Sequence, residues 1–111
     1  MEITTKEQTN VTIVSVTGRL DAVSSPELEK KITELINKGQ KFLLVNFDGL
    51  DYISSAGLRS ILAGAKLAKS KQGEIFITGL KGPVEEVFRL TGFQSVFKIF
   101  ASEEEAFKHI F

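Results

Sequence analysis

Cysteine and tryptophan are absent from the chain, histidine, methionine and tyrosine occur once each, and there are only two prolines. Without cysteine there is no disulfide and no thiolate metal site, and the redox compartment is left open. Without a second histidine, a transition-metal centre lacks ligands. Net charge is missing too, because 14 basic side chains balance 14 acidic ones. Nucleic-acid binders carry a basic footprint, so direct contact with DNA or RNA is disfavoured. No apolar run approaches the ~20 residues that span a bilayer. The start, Met1-Glu2-Ile3-Thr4-Thr5-Lys6-Glu7, has neither the basic end nor the apolar block of a signal peptide. Neither a P-loop pattern nor Gly-x-Ser-x-Gly is present, so nucleotide-cradling and hydrolase-elbow arguments have no residues to rest on. These absences predict a soluble cytoplasmic domain with no metal, no cofactor of its own and no membrane insertion.

What is present fits one domain over residues 1–111, with nine phenylalanines as its aromatic bulk. Ile3–Glu7 and Val11–Val16 read as strands, rich in β-branched residues, and the short Thr9-Asn10 joint makes them an antiparallel hairpin. Gly18-Arg19-Leu20-Asp21 leads out toward a helix that opens at Ser24-Ser25-Pro26-Glu27, where either serine can cap. Leu28, Ile32, Leu35 and Ile36 form its apolar stripe, and Gly39 ends it. A buried strand, Phe42–Phe47, follows.

The chain then crosses over through Asp48-Gly49-Leu50-Asp51-Tyr52-Ile53-Ser54-Ser55 into a helix lined by Leu58, Ile61, Leu62, Ala65 and Ala68. Two adjacent serines therefore stand where that helix begins. Glu74–Thr78 reads as a strand, Pro83 opens a short helix, Val96–Phe100 is a last edge strand, and Ser102-Glu103-Glu104-Glu105 is a capping box before a final helix. The expected fold is α/β: a mixed sheet of four to five strands, the first antiparallel on the edge, with about four helices mostly on one face.

Several residues admit a plain and a chemical reading. His109 suits the last helix end by its charge. Asp21, Asp48 and Asp51 could hold Mg²⁺, but carboxylates after a strand are common turn formers. Ser55 as a nucleophile would need a base, and the sequence offers none. Lys66, Lys69 and Lys71 read as a solvated helix end. Phe93, Val96 and Phe97 are either core or an exposed edge that pairs with a second copy. Ser54 and Ser55 cap a helix, or one of them is exposed and carries a removable phosphate.

Ile53-Ser54-Ser55-Ala56-Gly57-Leu58-Arg59, preceded by Asn46-Phe47-Asp48-Gly49-Leu50, resembles the signature loop of bacterial anti-sigma factor antagonists, members of the STAS domain family. Gly18-Arg19-Leu20-Asp21 resembles that family's first turn, and the element order agrees along the whole chain. The resemblance implies a STAS fold and a partner-switching cycle with no enzymatic activity in this chain. The unphosphorylated antagonist binds an anti-sigma factor that is also a serine kinase, which frees a sigma factor. Phosphorylation of one loop serine ends the binding, and a serine phosphatase resets it; ATP and Mg²⁺ belong to the kinase.

Aligned through Gly57-Leu58, the modified residue falls on Ser55, with Ser54 as second choice. The family's common Asp before and Ser or Thr after are here Ser54 and Ala56. Asp21, Asp51, Ser54, Ser55, Ala56, Gly57, Leu58 and Arg59 are the implied docking surface on a monomer or weak dimer. A new phosphate there is expected to meet Asp48 and Asp51, with Asp21 close by. A STAS subunit of a membrane transport assembly is the alternative, and an enzyme with weak nucleotide turnover is a third reading that rests on fold analogy alone.

Overall fold

The computed structural model describes residues 1–110. Six strands and four α-helices follow in the order β1 (Glu2–Glu7), β2 (Thr12–Leu20), α1 (Ser25–Asn37), β3 (Phe42–Asn46), β4 (Leu50–Ile53), α2 (Ser55–Ser70), β5 (Glu74–Thr78), α3 (Gly82–Thr91), β6 (Lys98–Phe100) and α4 (Glu103–Ile110). A 3₁₀ turn, Phe93–Ser95, joins α3 to β6. The sheet runs β1-β2-β3-β5-β6, with β1 antiparallel on β2 and the other neighbours parallel.

Strand alternation sorts the side chains onto two faces. Val14, Val16, Leu43, Val45, Ile75 and Ile77 join Leu28 and Ile32 of α1, Leu58 and Ile61 of α2, and Val84 and Phe88 of α3 in the larger core. Ile13, Leu44 and Phe76 point the other way and are covered by Ala106, Phe107 and Ile110 of α4. Helices therefore lie three to one across the sheet, as the partly polar strands suggest. Phe76 is nonetheless 4 % exposed, so β5, like β3, is buried on both faces.

The sheet has one strand more than its four or five expected, and the addition is β4. Leu50-Asp51-Tyr52-Ile53 has only its two ends buried, so no period-2 pattern marks it as a strand. It exists because β2 is long. The first half of β2 pairs with β3 (Thr12 opposite Leu43), and its end pairs with β4, Arg19 opposite Tyr52 and Leu20 opposite Ile53. The register shifts between Gly18 and Arg19, where Gly18 takes φ +91° and its N–H donates to the Gly49 carbonyl at 3.0 Å. Gly18-Arg19-Leu20 thus belongs to the strand rather than leading out of it.

The remaining differences are local. Phe97 is buried and stacks with Phe88 and Phe93, whereas Val96 is exposed, so the aromatics are core. His109 lies with its ring 5.2 Å from that of Phe100. Ser102 Oγ accepts the Glu105 N–H at 3.2 Å, the serine half of the expected capping box, while Glu103 accepts from Asn46 Nδ2 at 2.6 Å.

Candidate functional site

Where β2 and β4 end side by side, α1 and α2 begin, and both helix starts are assembled on the last residues of β2. The Leu20 carbonyl accepts the Ser54 N–H at 2.9 Å, which brings the chain into α2. Ser54 is extended (φ −100°, ψ 174°), and its Oγ accepts the Gly57 N–H at 3.3 Å. Its own carbonyl accepts the Leu58 N–H at 3.0 Å. Ser54 is the helix cap, and it satisfies a donor the helix cannot.

Ser55 is the first residue of α2. It is exposed, and its hydroxyl has no hydrogen-bond partner among the described residues. Adjacent serines that look equivalent in sequence are thus separated by the helix start. Ser54 holds the backbone, and Ser55 is available.

Gly57 explains why α2 fits so tightly here. A Cβ on it would stand 2.8 Å from the Leu20 carbonyl oxygen and 2.9 Å from both Leu20 Cγ and Ile53 Cγ1. The expectation that Gly57 and Leu58 face a partner is corrected by this packing. Leu58 is 4 % exposed and belongs to the core, and Gly57 is wedged against β2, so both shape the surface from beneath. Ala56 is half-buried and Arg59 exposed, so of this stretch Ser54, Ser55, Ala56 and Arg59 reach the surface.

The α1 side is held by Asp21. Its Oδ1 accepts the N–H groups of Val23 and Ser24, both at 3.1 Å. Those bonds, the Ser24 backbone N–H above all, hold the Asp21 carboxyl below the usual carboxylate range, with help from the Ser24 hydroxyl and Arg19. Neither serine caps α1 through its side chain. Ser24 Oγ accepts the Asp21 N–H at 2.9 Å and shares its one proton between the Arg19 carbonyl at 2.8 Å and Asp21 Oδ1 at 3.1 Å, and Ser25 Oγ donates to the Asp21 carbonyl. Asp21 therefore organises the β2–α1 turn, a structural role beside any contact it makes with a partner.

Between the two helix starts lies a shallow open groove lined by Arg19, Asp21, Ala22 and Val23 from the first turn and by Tyr52, Ser54, Ser55, Ala56 and Arg59 from the second. The Arg19 guanidinium carbon sits 4.1 Å from the centroid of the Tyr52 ring and 3.9 Å separates Arg19 Nε from Asp21. Val23 is 91 % exposed and Tyr52 39 %. Arg19, Val23 and Tyr52 are not among the docking residues that the resemblance supplies. Arg19 and Tyr52 become neighbours only through the β2–β4 pairing, which no local pattern announces.

The carboxylates are not gathered. Asp48 pairs with Lys81 at 3.3 Å and lines a different dent, with Asn46, Thr78 and Glu103. Asp51 is exposed on β4, outside the groove lining. Of the three aspartates only Asp21 lines the groove with Ser55, Arg19 and Arg59. Among the described residues no group of three Asp, Glu or His stands close enough to hold a metal ion. No helix among them is long and apolar enough to cross a membrane.

The fold and groove define a small mixed α/β module in which an exposed serine hydroxyl shares one groove with two arginines. The chain belongs to the STAS domain family, whose model matches residues 2–106. It is similar to BtrV of Bordetella bronchiseptica, which carries the provisional name anti-sigma factor antagonist, with 35 % identity over 96 % of this chain and 91 % of that protein. The fold matches a crystal structure from Thermotoga maritima, provisionally named in the same way, with TM-score 0.91 and 23 % identity over 96 % of this chain and 92 % of the other. It also matches the Bacillus cell fate determinant SpoIIAA in its phosphorylated form, with TM-score 0.76 and 20 % identity over 99 % of this chain and 100 % of the other.

Proposed function

We propose that the chain is an anti-sigma factor antagonist: a cytoplasmic binding module, not an enzyme, whose docking face is the groove between the starts of α1 and α2. Unphosphorylated, it binds an anti-sigma factor with serine kinase activity and so releases a sigma factor. The kinase then transfers a phosphoryl group from ATP to Ser55. The Ser55 Oγ–phosphorus bond forms as the bond between the γ-phosphorus and the β–γ bridging oxygen breaks. The hydroxyl proton passes to a base of the kinase, and ADP leaves. A serine phosphatase hydrolyses the phosphoserine and restores the docking form.

The observation that carries this reading is the division of labour between two serines. Ser54 is committed to capping, whereas Ser55 is exposed and unbonded. A phosphate adds a charge of about −1.5 to −2 at neutral pH. Placed on the first residue of a helix, it is tolerated by the unpaired N–H groups there, so the fold need not change. A partner seated in the groove has to desolvate that charge. A loss of ~3 kcal/mol is more than a hundredfold in affinity. Names of relatives support the antagonist role.

The test is mass spectrometry after incubation with the cognate kinase and ATP. Wild type and Ser54→Ala are expected to gain one phosphate, and Ser55→Ala none. A phosphate on Ser55→Ala in the α2 start would move the switch to Ser54, and no phosphate on any of the three would remove it.

A further inference from the structure

The charge beside Ser55 is opposite to the one its loop sequence suggests. Asp48 is tied to Lys81 and Asp51 lies off the groove, whereas Arg19 and Arg59 line it together with Ser55 and outnumber its single carboxylate, Asp21. Arg59 stands four residues beyond Ser55 on α2, so the two side chains rise on one helix face with Cβ atoms about 5–6 Å apart. Arg59 is exposed and makes no ion pair among the described residues; Glu29 borders the adjoining dent without reaching it. Arg19 is 63 % exposed, and its 3.9 Å contact with Asp21 is a long surface pair of the kind that contributes little. Arg59 is therefore free to take a partner, and Arg19, held over the Tyr52 ring at 4.1 Å, has only its long pair with Asp21 to give up.

We propose that a phosphoryl group on Ser55 is captured within the same chain by Arg59 and Arg19, which withdraws both groove cations from an acidic partner surface. This deepens the reading of Ser55 as the modified residue and rests on it. A phosphate dianion presents three acceptor oxygens, and a guanidinium fork binds two of them at once. An anion four residues ahead of a cation is the favourable order along a helix. Before modification the groove offers two cations beside exposed Val23 and Tyr52, a match for a partner carrying carboxylates next to an apolar residue. Modification then acts twice, adding negative charge and neutralising the positive charge that drew the partner.

The test installs phosphoserine at position 55 during synthesis of the full chain, so that no kinase is needed, and titrates it by ³¹P NMR. The second ionisation of unconstrained phosphoserine falls near pH 6. In the wild-type background it is expected about 0.5 lower, because a nearby guanidinium favours the dianion. Arg59→Gln is expected to raise it, and Arg19→Gln with Arg59→Gln to bring it back toward 6. A wild-type value near 6 overturns the capture. So does a lowered value that neither substitution moves, which would belong to the helix terminus alone. Unphosphorylated Arg59→Gln is expected to bind the anti-sigma partner about tenfold more weakly, and unchanged affinity overturns the docking half. If the kinase leaves Ser55 unmodified, the switch reading fails while the titration stands, so the two failures are distinguishable.

Discussion

Ser54 Oγ accepts the N–H of Gly57 at 3.3 Å, and this single bond decides which of two neighbouring hydroxyls is free. It fixes the start of α2 so that Ser55 becomes the first helical residue and projects outward. Ser54→Ala is therefore expected to lower stability by about 0.5–2 kcal/mol, the usual cost of a lost cap. Ser55→Ala is expected to change it by less than about 0.5 kcal/mol, as exposed substitutions do. Urea unfolding of both variants checks the contrast, and equal losses would contradict the assignment.

Gly57→Ala tests the wedge beneath the groove. The added methyl meets backbone as well as side chains at under 3 Å, so the helix start or the end of β2 has to move. Overpacking of this kind costs about 1–3 kcal/mol. Denaturant midpoints read the loss. A shift of amide resonances in Leu20 and Ile53 locates it.

Asp21 gives a pH signature. Its carboxyl titrates below its ordinary value in the folded chain, because the Ser24 and Val23 N–H groups, the Ser24 hydroxyl and Arg19 favour the ionised form. A group with a depressed folded pKa contributes stability above its unfolded value and loses it as pH falls through the folded one. The stability gap between wild type and Asp21→Ala is thus expected to hold steady from about pH 5 to 7 and to shrink below about pH 4. Thermal unfolding across that range measures it. A gap independent of pH would contradict the role given to the carboxylate.

Much of this architecture is legible in the residues. Leu28-Ile32-Leu35-Ile36 announces α1, Gly39 its end at φ +101°, and Phe42–Phe47 the central strand. β4 is not legible, because Asp51 and Tyr52 face solvent and only a long-range partner, the end of β2, makes the segment a strand. The candidate site divides along the same line. Ser54 and Ser55 stand out locally, but their unequal roles depend on where the helix begins to within one residue. Asp48 and Asp51 look like neighbours of Ser55 in sequence, and the route through β4 separates them from the groove. Arg19 and Tyr52 arrive by that same route.

Tyr52 and Val23 are expected to anchor the partner. Large exposed apolar side chains beside a charged centre commonly become buried contacts in a complex. Tyr52→Ala is expected to weaken binding of the anti-sigma factor about tenfold or more, through loss of its own contact and of the ring that positions Arg19. Exposed Val96, on the far loop, serves as the control, and Val96→Ala is expected to leave affinity unchanged. Equal effects of the two substitutions would place the docking face elsewhere.

The most direct measurement is a calorimetric titration of the anti-sigma factor with two forms of the chain that differ only by a phosphate on Ser55. The phosphorylated form is expected to bind at least about a hundredfold more weakly, with unchanged circular dichroism. Equal affinity of the two forms would contradict the switch at Ser55.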